Sequence, residues 1–160
     1  MNSGGDVMRV PIDGNSQPTP LVRTPFLEGY GKVSPDGRWL AYVSNESGKP
    51  EIYVRPLGGG AGRVRVSPSG GTQPRWQRDG KALYFVSEAG RIMASTITLA
   101  PTLDVGTPVD LSIETERDLI GSRFVYDVAD LGRRFLVIRR TRRESPAPIT
   151  VILNWASLVR

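Results

Sequence analysis

The stretch SPDGRWLAYVS, from Ser34 to Ser44, recurs along the chain and constrains the fold more than any other feature of the sequence. The stretch QRDGKALYFVS, Gln77 to Ser87, repeats it at an offset of 43 residues (36 to 79). A third copy, ADLGRRFLVIR, Ala129 to Arg139, keeps the glycine but has leucine in place of the aspartate. Repetition of this kind indicates that one supersecondary unit is stacked several times along the chain.

A second pair of segments repeats at nearly the same interval. The stretch DVMRVPIDG, Asp6 to Gly14, matches EIYVRPLGG, Glu51 to Gly59, at an offset of 45 residues (6 to 51). Between the repeats, short apolar runs are separated by many of the 18 glycines and 13 prolines of the chain. A period of about 40 to 45 residues that holds several short strands is typical of a β-propeller blade.

The apolar run of each copy has hydrophobic residues on both faces of the predicted strand. In RWLAYVS, Arg38 to Ser44, large or apolar side chains occupy both the odd and the even positions. A strand exposed on one face alternates apolar with polar residues, whereas a strand covered on both faces need not. The runs KALYFVS and RRFLVIR share this pattern, which favours sheets packed between neighbouring sheets.

We therefore predict an all-β chain of four-stranded antiparallel meanders, in just over three blades that form an incomplete β-propeller. A single propeller segment over 1–160 would consist of a half blade at 1–24, blades at 25–67 and 68–114, and a final blade at 120–160. The best helix candidate, 113–120, is short. The predicted strands are Asp6–Ile12, Thr19–Arg23, Gly29–Ser34, Arg38–Ser44, Glu51–Leu57, Arg63–Ser67, Gln73–Gln77, Lys81–Ser87, Arg91–Thr98, Pro108–Ile113, Phe124–Ala129, Arg133–Arg139 and Pro148–Trp155.

The repeated turn residues have a structural explanation that requires no chemistry. Proline presets φ for a turn, aspartate accepts hydrogen bonds from nearby backbone amides, and glycine takes the positive φ that closes a hairpin. The turn would join the first and second strands of each blade. The structural turn residues predicted on this basis are Pro35, Asp36, Gly37, Asp79, Gly80 and Gly132.

Three phrases of the sequence resemble the WD-like repeats of TolB-type bacterial β-propellers. They are SPDGRWLAYVSNESGKPEIYVRPL, GTQPRWQRDGKALYFVS and the closing PITVILNWASLVR. The closing phrase also resembles the carboxyl end of bacterial proteins in which a Ser/Thr protein kinase domain precedes such a propeller. The resemblance implies a closed ring with more blades, so the missing blades are expected from the same or another chain. It also implies a periplasmic or extracytoplasmic compartment, although no signal peptide is found in this chain.

The composition excludes most catalytic sites. The chain has no cysteine and no histidine, so thiolate nucleophiles, imidazole bases and the usual zinc ligands are absent. A Ser-Lys pair would have to use one of three lysines, all at or beside strands, and the recurrent aspartates are explained by turns. The loop Asn45–Glu51 lacks the ligand spacing of a calcium-binding EF-hand. We therefore expect no catalytic residue, no cofactor and no metal site.

Three charged residues are predicted to occupy one equivalent position on the innermost strands. Counting four residues back from each aligned turn position gives Lys32, Arg75 and Asp127. Their side chains would line a central channel, where they could contact a ligand or remain hydrated without a role.

A basic segment near the carboxyl end is the second candidate site. Between Leu131 and Arg160 there are seven arginines and one acidic residue, Glu144. The loop RRTRRESP could bind a phosphate, an acidic partner or an anionic membrane surface, or could be a solvated charged loop. Aromatic residues do not interleave with it, so nucleic acid is not expected. Its candidate anion or partner contacts are Arg139, Arg140, Arg142 and Arg143.

The function predicted from these features is a non-catalytic binding or scaffolding segment of a larger bacterial protein. The loops between the second and third strands share a face with the loops between blades, and this loop-rich face would bind a protein or peptide, or alternatively a small ligand. The alternative function is the regulatory propeller of an enzyme, a Ser/Thr protein kinase or a prolyl-oligopeptidase-type hydrolase. No stretch of sequence is long and apolar enough to predict a membrane span.

Overall fold

The chain folds into antiparallel β-sheets in the computed structural model, which describes residues 5–12, 15–60, 62–99, 102–117, 120 and 123–139. These residues contain thirteen strands, and a 3-10 turn lies at Asp130–Gly132. The strands are β1 Val7–Arg9, β2 Thr19–Val22, β3 Glu28–Val33, β4 Trp39–Ser44, β5 Glu51–Pro56, β6 Val64–Arg65, β7 Thr72–Trp76, β8 Ala82–Val86, β9 Arg91–Thr98, β10 Asp104–Val105, β11 Val109–Glu114, β12 Tyr126–Ala129 and β13 Arg134–Val137.

The strands form four separate sheets that follow one another along the chain. Strands β1 and β2 pair with each other, β3 to β6 form a four-stranded meander, β7 to β11 form a five-stranded sheet, and β12 pairs with β13. All of the strand pairs are antiparallel, as hairpin-connected strands require. The predicted all-β fold of propeller blades is confirmed.

The five-stranded sheet differs from the prediction at its outer edge. The short strand β10 was not predicted, and it pairs with the end of β9 at Thr98 and Ile97. Strand β11 pairs with the beginning of the same strand, between Arg91 and Ala94. With eight residues, β9 is therefore long enough to pair with β11 at its beginning and with β10 at its end.

The helix candidate at 113–120 is wrong at its beginning, because Ile113 lies in β11.

Hydrophobic cores lie between the sheets and bury both faces of the central strands. One cluster joins alternate residues of β4, such as Ala41 and Val43, to Leu83 and Phe85 of β8. On the other face of β4, Leu40 packs in a cluster with residues of the first sheet. Each buried valine, leucine or phenylalanine side chain contributes roughly 1.5–3 kcal/mol to folding. The apolar pattern on both faces of this strand was therefore correctly interpreted.

The third copy of the repeat is covered on one face. In β13, Phe135 and Val137 pack toward the five-stranded sheet. Leu136 and Ile138, on the other face, are 75% and 41% exposed. The expected coverage of both faces is therefore wrong for this strand, because no further sheet of the described structure lies on that side. The predicted strand Pro148–Trp155 lies outside the described residues.

Candidate functional site

Three charged side chains from the first strands of successive sheets lie close together, and two of them contact one aromatic ring. The Nζ of Lys32 lies 4.7 Å from the centroid of the Phe124 ring, and the Cζ of Arg75 lies 4.0 Å from it. The Nε of Arg75 is 3.6 Å from Oδ1 of Asp127. The structure thus brings together Lys32, Arg75 and Asp127, which the repeat placed at one equivalent position. We call Lys32, Arg75, Asp127 and Phe124 the axial cluster. That the three charged residues contact a ligand stays a prediction.

A backbone irregularity precedes each of the two cations. The register of β3 against β4 shifts between Gly29 and Lys32, and that of β7 against β8 shifts between Thr72 and Arg75. Tyr30 and Gln73, which lie two residues before the cations, have φ of 54° and 57°. Positive φ is uncommon for such residues, and bulges redirect the side chains that follow them. The first strands of the two blades, β3 and β7, therefore share a backbone conformation as well as a sequence pattern.

Hydrogen bonds between sheets fix the strands that carry the cluster. The buried side chain of Gln73 donates from Nε2 to the carbonyl oxygen of Arg123 at 2.7 Å and accepts at Oε1 from the amide of Val125 at 2.8 Å. The indole Nε1 of Trp76 donates to the carbonyl oxygen of Lys32 at 2.9 Å. Side-chain bonds of this kind position one blade relative to the next.

The axial cluster carries two positive charges and one negative charge. Burial lowers the pKa of Lys32, and the neighbouring charge of Arg75 lowers this pKa further, while the charge of Asp127 opposes the change. The side chain of Asp127 is 64% exposed, and that of Arg75 is 22% exposed. Water therefore screens the ion pair between Arg75 and Asp127. The carboxylate of Asp127 consequently compensates the positive charge of the two cations only in part.

The aromatic member of the cluster was missed by the sequence analysis. Phe124 was predicted to begin a strand, yet it lies two residues before β12. Its ring also meets that of Tyr30 edge-on, with centroids 5.4 Å apart and an interplanar angle of 87°. No periodicity or motif indicates which ring will contact two particular cations, because that contact depends on how the blades pack.

The first Pro-Asp-Gly turn is held by its own polar side chains. Oδ1 of Asp36 accepts hydrogen bonds from the Ser34 hydroxyl at 2.5 Å and from the amide of Arg38 at 3.1 Å. The Ser34 oxygen in turn accepts from the amide of Trp39 at 2.9 Å. Gly37 has φ of 73°, the left-handed conformation that the turn requires, and Pro35 is exposed. Ser34 is therefore occupied within the turn.

The other two turns share the glycine but not all of the polar contacts. Asp79 accepts from the amide of Lys81 at 3.0 Å, and Gly80 has φ of 75°. In the third copy, Leu131 has φ of 53° and Gly132 has φ of 82°. A Cβ atom on Gly132 would overlap the hydroxyl of Tyr84. The third turn is thus packed against the preceding sheet.

A cleft opens on the face where the loops between second and third strands meet the loops between blades. Its volume is about 480 Å³, and apolar side chains form most of its wall. We call it the loop-face cleft. Tyr30 belongs to its wall and also contacts Phe124, so the cleft and the axial cluster share one aromatic pair. The residues that line it are Leu27, Tyr30, Val43, Lys49, Pro50, Gly70, Gly71, Thr72, Val86, Ser87, Glu88, Arg117 and Ile120.

A buried carboxylate holds the loop that forms one wall of the cleft. Glu51 is 0% exposed, and it accepts hydrogen bonds from the Ser67 hydroxyl at 2.5 Å and from the amide of Gly70 at 3.0 Å. Ser67 also accepts from the amide of Ile52 at 2.7 Å. Since each buried polar group has a partner, the loop has a fixed conformation beside the cleft.

Charged side chains also line the cleft. The Nζ of Lys49 and Oε2 of Glu88 lie 3.9 Å apart, and both side chains are substantially exposed. Arg117 is exposed on the same wall. Such an exposed pair adds little to stability, so these charges remain accessible to a ligand.

The predicted arginine loop is described only at its first residue. The Nη2 of Arg139 lies 3.4 Å from Oε2 of Glu114, with side chains 69% and 58% exposed. Arg140, Arg142 and Arg143 lie outside the described residues. The anion-binding role of this loop stays a prediction.

The side-chain oxygen atoms of Asn45, Glu46 and Glu51 in the loop Asn45–Glu51 each have a separate protein partner. Oδ1 of Asn45 accepts from the amide of Leu27 at 2.9 Å, and Glu46 pairs with Arg63. Across the ranges given above, no three acidic side chains are grouped as metal ligands would be. Those same ranges hold no helix with the length and apolar character needed to span a membrane.

Known proteins resemble the chain in fold and, more weakly, in sequence. The structure is similar to that of TolB from Acinetobacter baumannii, with a TM-score of 0.50 and 16% identity, over 82% of this chain and 31% of that chain. The sequence is 29% identical over 140 residues to "Tricorn protease homolog 1" of Streptomyces coelicolor, which covers 86% of this chain and 13% of that protein. No family model matches the chain. The chain therefore has a TolB-like β-propeller fold, and it spans less than a third of the length of either protein.

Proposed function

We propose that this chain is a non-catalytic binding segment of a propeller protein and that it recognises a protein or peptide in the loop-face cleft. The observation that supports the proposal is the cleft of about 480 Å³, where loops from two complete blades meet. Ligand sites are concave and mainly apolar, with a few polar groups that fix orientation. This cleft has those properties.

The composition of the wall favours a peptide with one apolar anchor. Leu27 and the half-buried Tyr30 and Ile120 provide apolar surface, while Lys49 and Glu88 provide charges of opposite sign. An apolar side chain in the cleft would displace water, and the charges would orient polar groups of the ligand. A small apolar ligand would meet the same wall.

A pair of matched substitutions tests the cleft. Leu27 directly precedes β3 and Val33 ends it. The two residues have similar exposure, 52% and 49%, but only Leu27 lines the cleft. Peptides selected from a random displayed library against the purified protein should bind the Leu27→Asp variant about tenfold more weakly, because a carboxylate would replace apolar surface. Val33→Asp should leave the affinity within about twofold.

The same measurement can refute the proposal. Failure to select any saturable peptide, or equal weakening by both substitutions, would show that the cleft is not the binding surface. Fluorescence anisotropy of the labelled peptide gives the affinities, and circular dichroism melting confirms that both variants are folded.

A second candidate function is a propeller that belongs to a hydrolase. The observation that favours it is the 29% identity with "Tricorn protease homolog 1", a protein of which this chain spans 13%. The open reading frame of the full transcript tests it, because a hydrolase domain in the same frame would support this function and its absence would exclude it. The link to a Ser/Thr kinase stays a prediction.

A further inference from the structure

We propose that Lys32, Arg75 and Phe124 form a binding site for a small oxyanion, either a carboxylate or a phosphate. The site would lie at the first strands of successive blades and would be distinct from the loop-face cleft. It goes beyond the proposed function, because a protein that binds peptides in the cleft needs no anion here.

The first argument is that two cations from different blades converge on one ring. The Nζ of Lys32 and the Cζ of Arg75 lie 4.7 and 4.0 Å from the centroid of Phe124. Their strands are fixed relative to each other by the bond from Trp76 to the carbonyl of Lys32. Like charges separate unless the fold holds them, so this arrangement is imposed by the backbone.

The second argument is that protein groups leave the positive charge partly uncompensated. Within the described residues, Lys32 has no ion pair, and Asp127 is the carboxylate that lies beside Arg75. Their separation of 3.6 Å is too long for a hydrogen bond, and the buried Nε of Arg75 has no hydrogen-bond partner. The pKa of Lys32 is lowered first by burial and then by the charge of Arg75, and the second of these causes agrees with a neighbouring charge that is only partly compensated.

The third argument concerns the chemistry of the donors. A guanidinium offers several N–H groups in one plane, and an ammonium offers a compact charge, so together they suit the oxygens of a carboxylate or a phosphate. The Phe124 ring excludes water from one side of both cations, which strengthens their attraction for an anion. A bound anion would also relieve the repulsion between them.

Titration with two probes tests the site. Inorganic phosphate and acetate are titrated separately at constant ionic strength, and the amide shifts of β3 and β7 are followed by NMR spectroscopy. Saturable shifts with either probe are expected, and their relative affinities identify the preferred source of the oxyanion. Lys32→Met and Arg75→Met should each weaken binding about tenfold or more, because each removes a charged donor.

Two further variants make the test specific. Asp127→Asn removes the competing carboxylate and should tighten binding several-fold, an effect that a purely structural role would not produce. Lys81→Met removes an exposed lysine near the second turn and should change nothing. If Arg75→Met fails to fold, Lys32→Met and Asp127→Asn still decide the question.

The result is independent of the proposed function. Leu27→Asp should leave oxyanion binding unchanged, and Lys32→Met should leave peptide binding in the cleft unchanged. The absence of saturable binding of both probes, or equal affinity in the wild type, Lys32→Met and Asp127→Asn, would overturn the inference whatever the peptide experiment shows.

Discussion

The side-chain oxygen Oε1 of Gln73 accepts a 2.8 Å hydrogen bond from the backbone amide of Val125, and this bond joins two consecutive blades. Both residues are 0% exposed. The amide group of the same side chain donates to the carbonyl of Arg123. One glutamine of β7, the strand that also carries Arg75, therefore satisfies two backbone groups of the segment that leads into β12.

Replacing this glutamine should destabilise the protein. Gln73→Leu keeps the size of the side chain but leaves two backbone groups unpaired, at about 1–3 kcal/mol for each. We expect the free energy of unfolding to fall by roughly 2–4 kcal/mol in urea titrations. Gln17→Leu, at an exposed position, is the control and should change it by less than about 0.5 kcal/mol. Equal effects of the two substitutions would contradict the structural role.

Alanine substitutions in the first and third turns should distinguish the cost of backbone strain from the cost of steric overlap. Gly37 and Gly132 have φ of 73° and 82°, so alanine at either position should cost about 1 kcal/mol. Open space surrounds a Cβ at Gly37, whereas one at Gly132 would overlap the Tyr84 hydroxyl. Gly132→Ala should therefore lower the free energy of unfolding by roughly 1–3 kcal/mol more than Gly37→Ala. Similar midpoints of the two variants in urea would show that the third turn is not packed as described.

The first turn should make stability depend on pH. The hydrogen bond from Ser34 holds the pKa of Asp36 below its usual range. Burial opposes this change, and the amide and guanidinium of Arg38 lower the pKa further. A lowered pKa in the folded state adds stability that is present above the unfolded pKa of about 3.9 and is lost as the pH falls through the folded pKa. Asp36→Asn and Ser34→Ala should therefore lose less stability than the wild type between about pH 5 and pH 3.

A serine elsewhere supplies the control for this pH effect. Ser69 is exposed, and Ser69→Ala should keep the wild-type slope of stability against pH. Urea midpoints measured at several pH values give the slopes. An unchanged slope in Asp36→Asn would mean that the turn carboxylate does not contribute to acid unfolding.

The sheets were predictable because their determinants are local. The turn at Asp36–Gly37 and its copy at Asp79–Gly80 mark the hairpins, and the apolar runs after them became β4 and β8. The strand β10 was not predicted, because two residues such as Asp104 and Val105 carry no periodic signal. Its existence depends on the length of β9 beside it.

The candidate site was predictable only in part. Repeat alignment placed Lys32, Arg75 and Asp127 at equivalent positions, and the structure brings them together. The repeat alignment gave no indication that Phe124 belongs to the cluster or that Tyr30 has a positive φ, since both depend on contacts between blades. The sequence predicted that the loop-rich face would bind a ligand, but it did not predict the volume of the cleft on that face or the residues that line it.

The sequence by itself determined the β-strand content, the hairpins and the order of the sheets, because turn chemistry and apolar periodicity act over a few residues. Only the tertiary structure decided which charges share one aromatic ring, which backbone groups Gln73 satisfies and where the cleft opens. The reason is physical: Gln73 and Val125 are 52 positions apart in sequence, and contacts at that separation are fixed by the packing of whole blades.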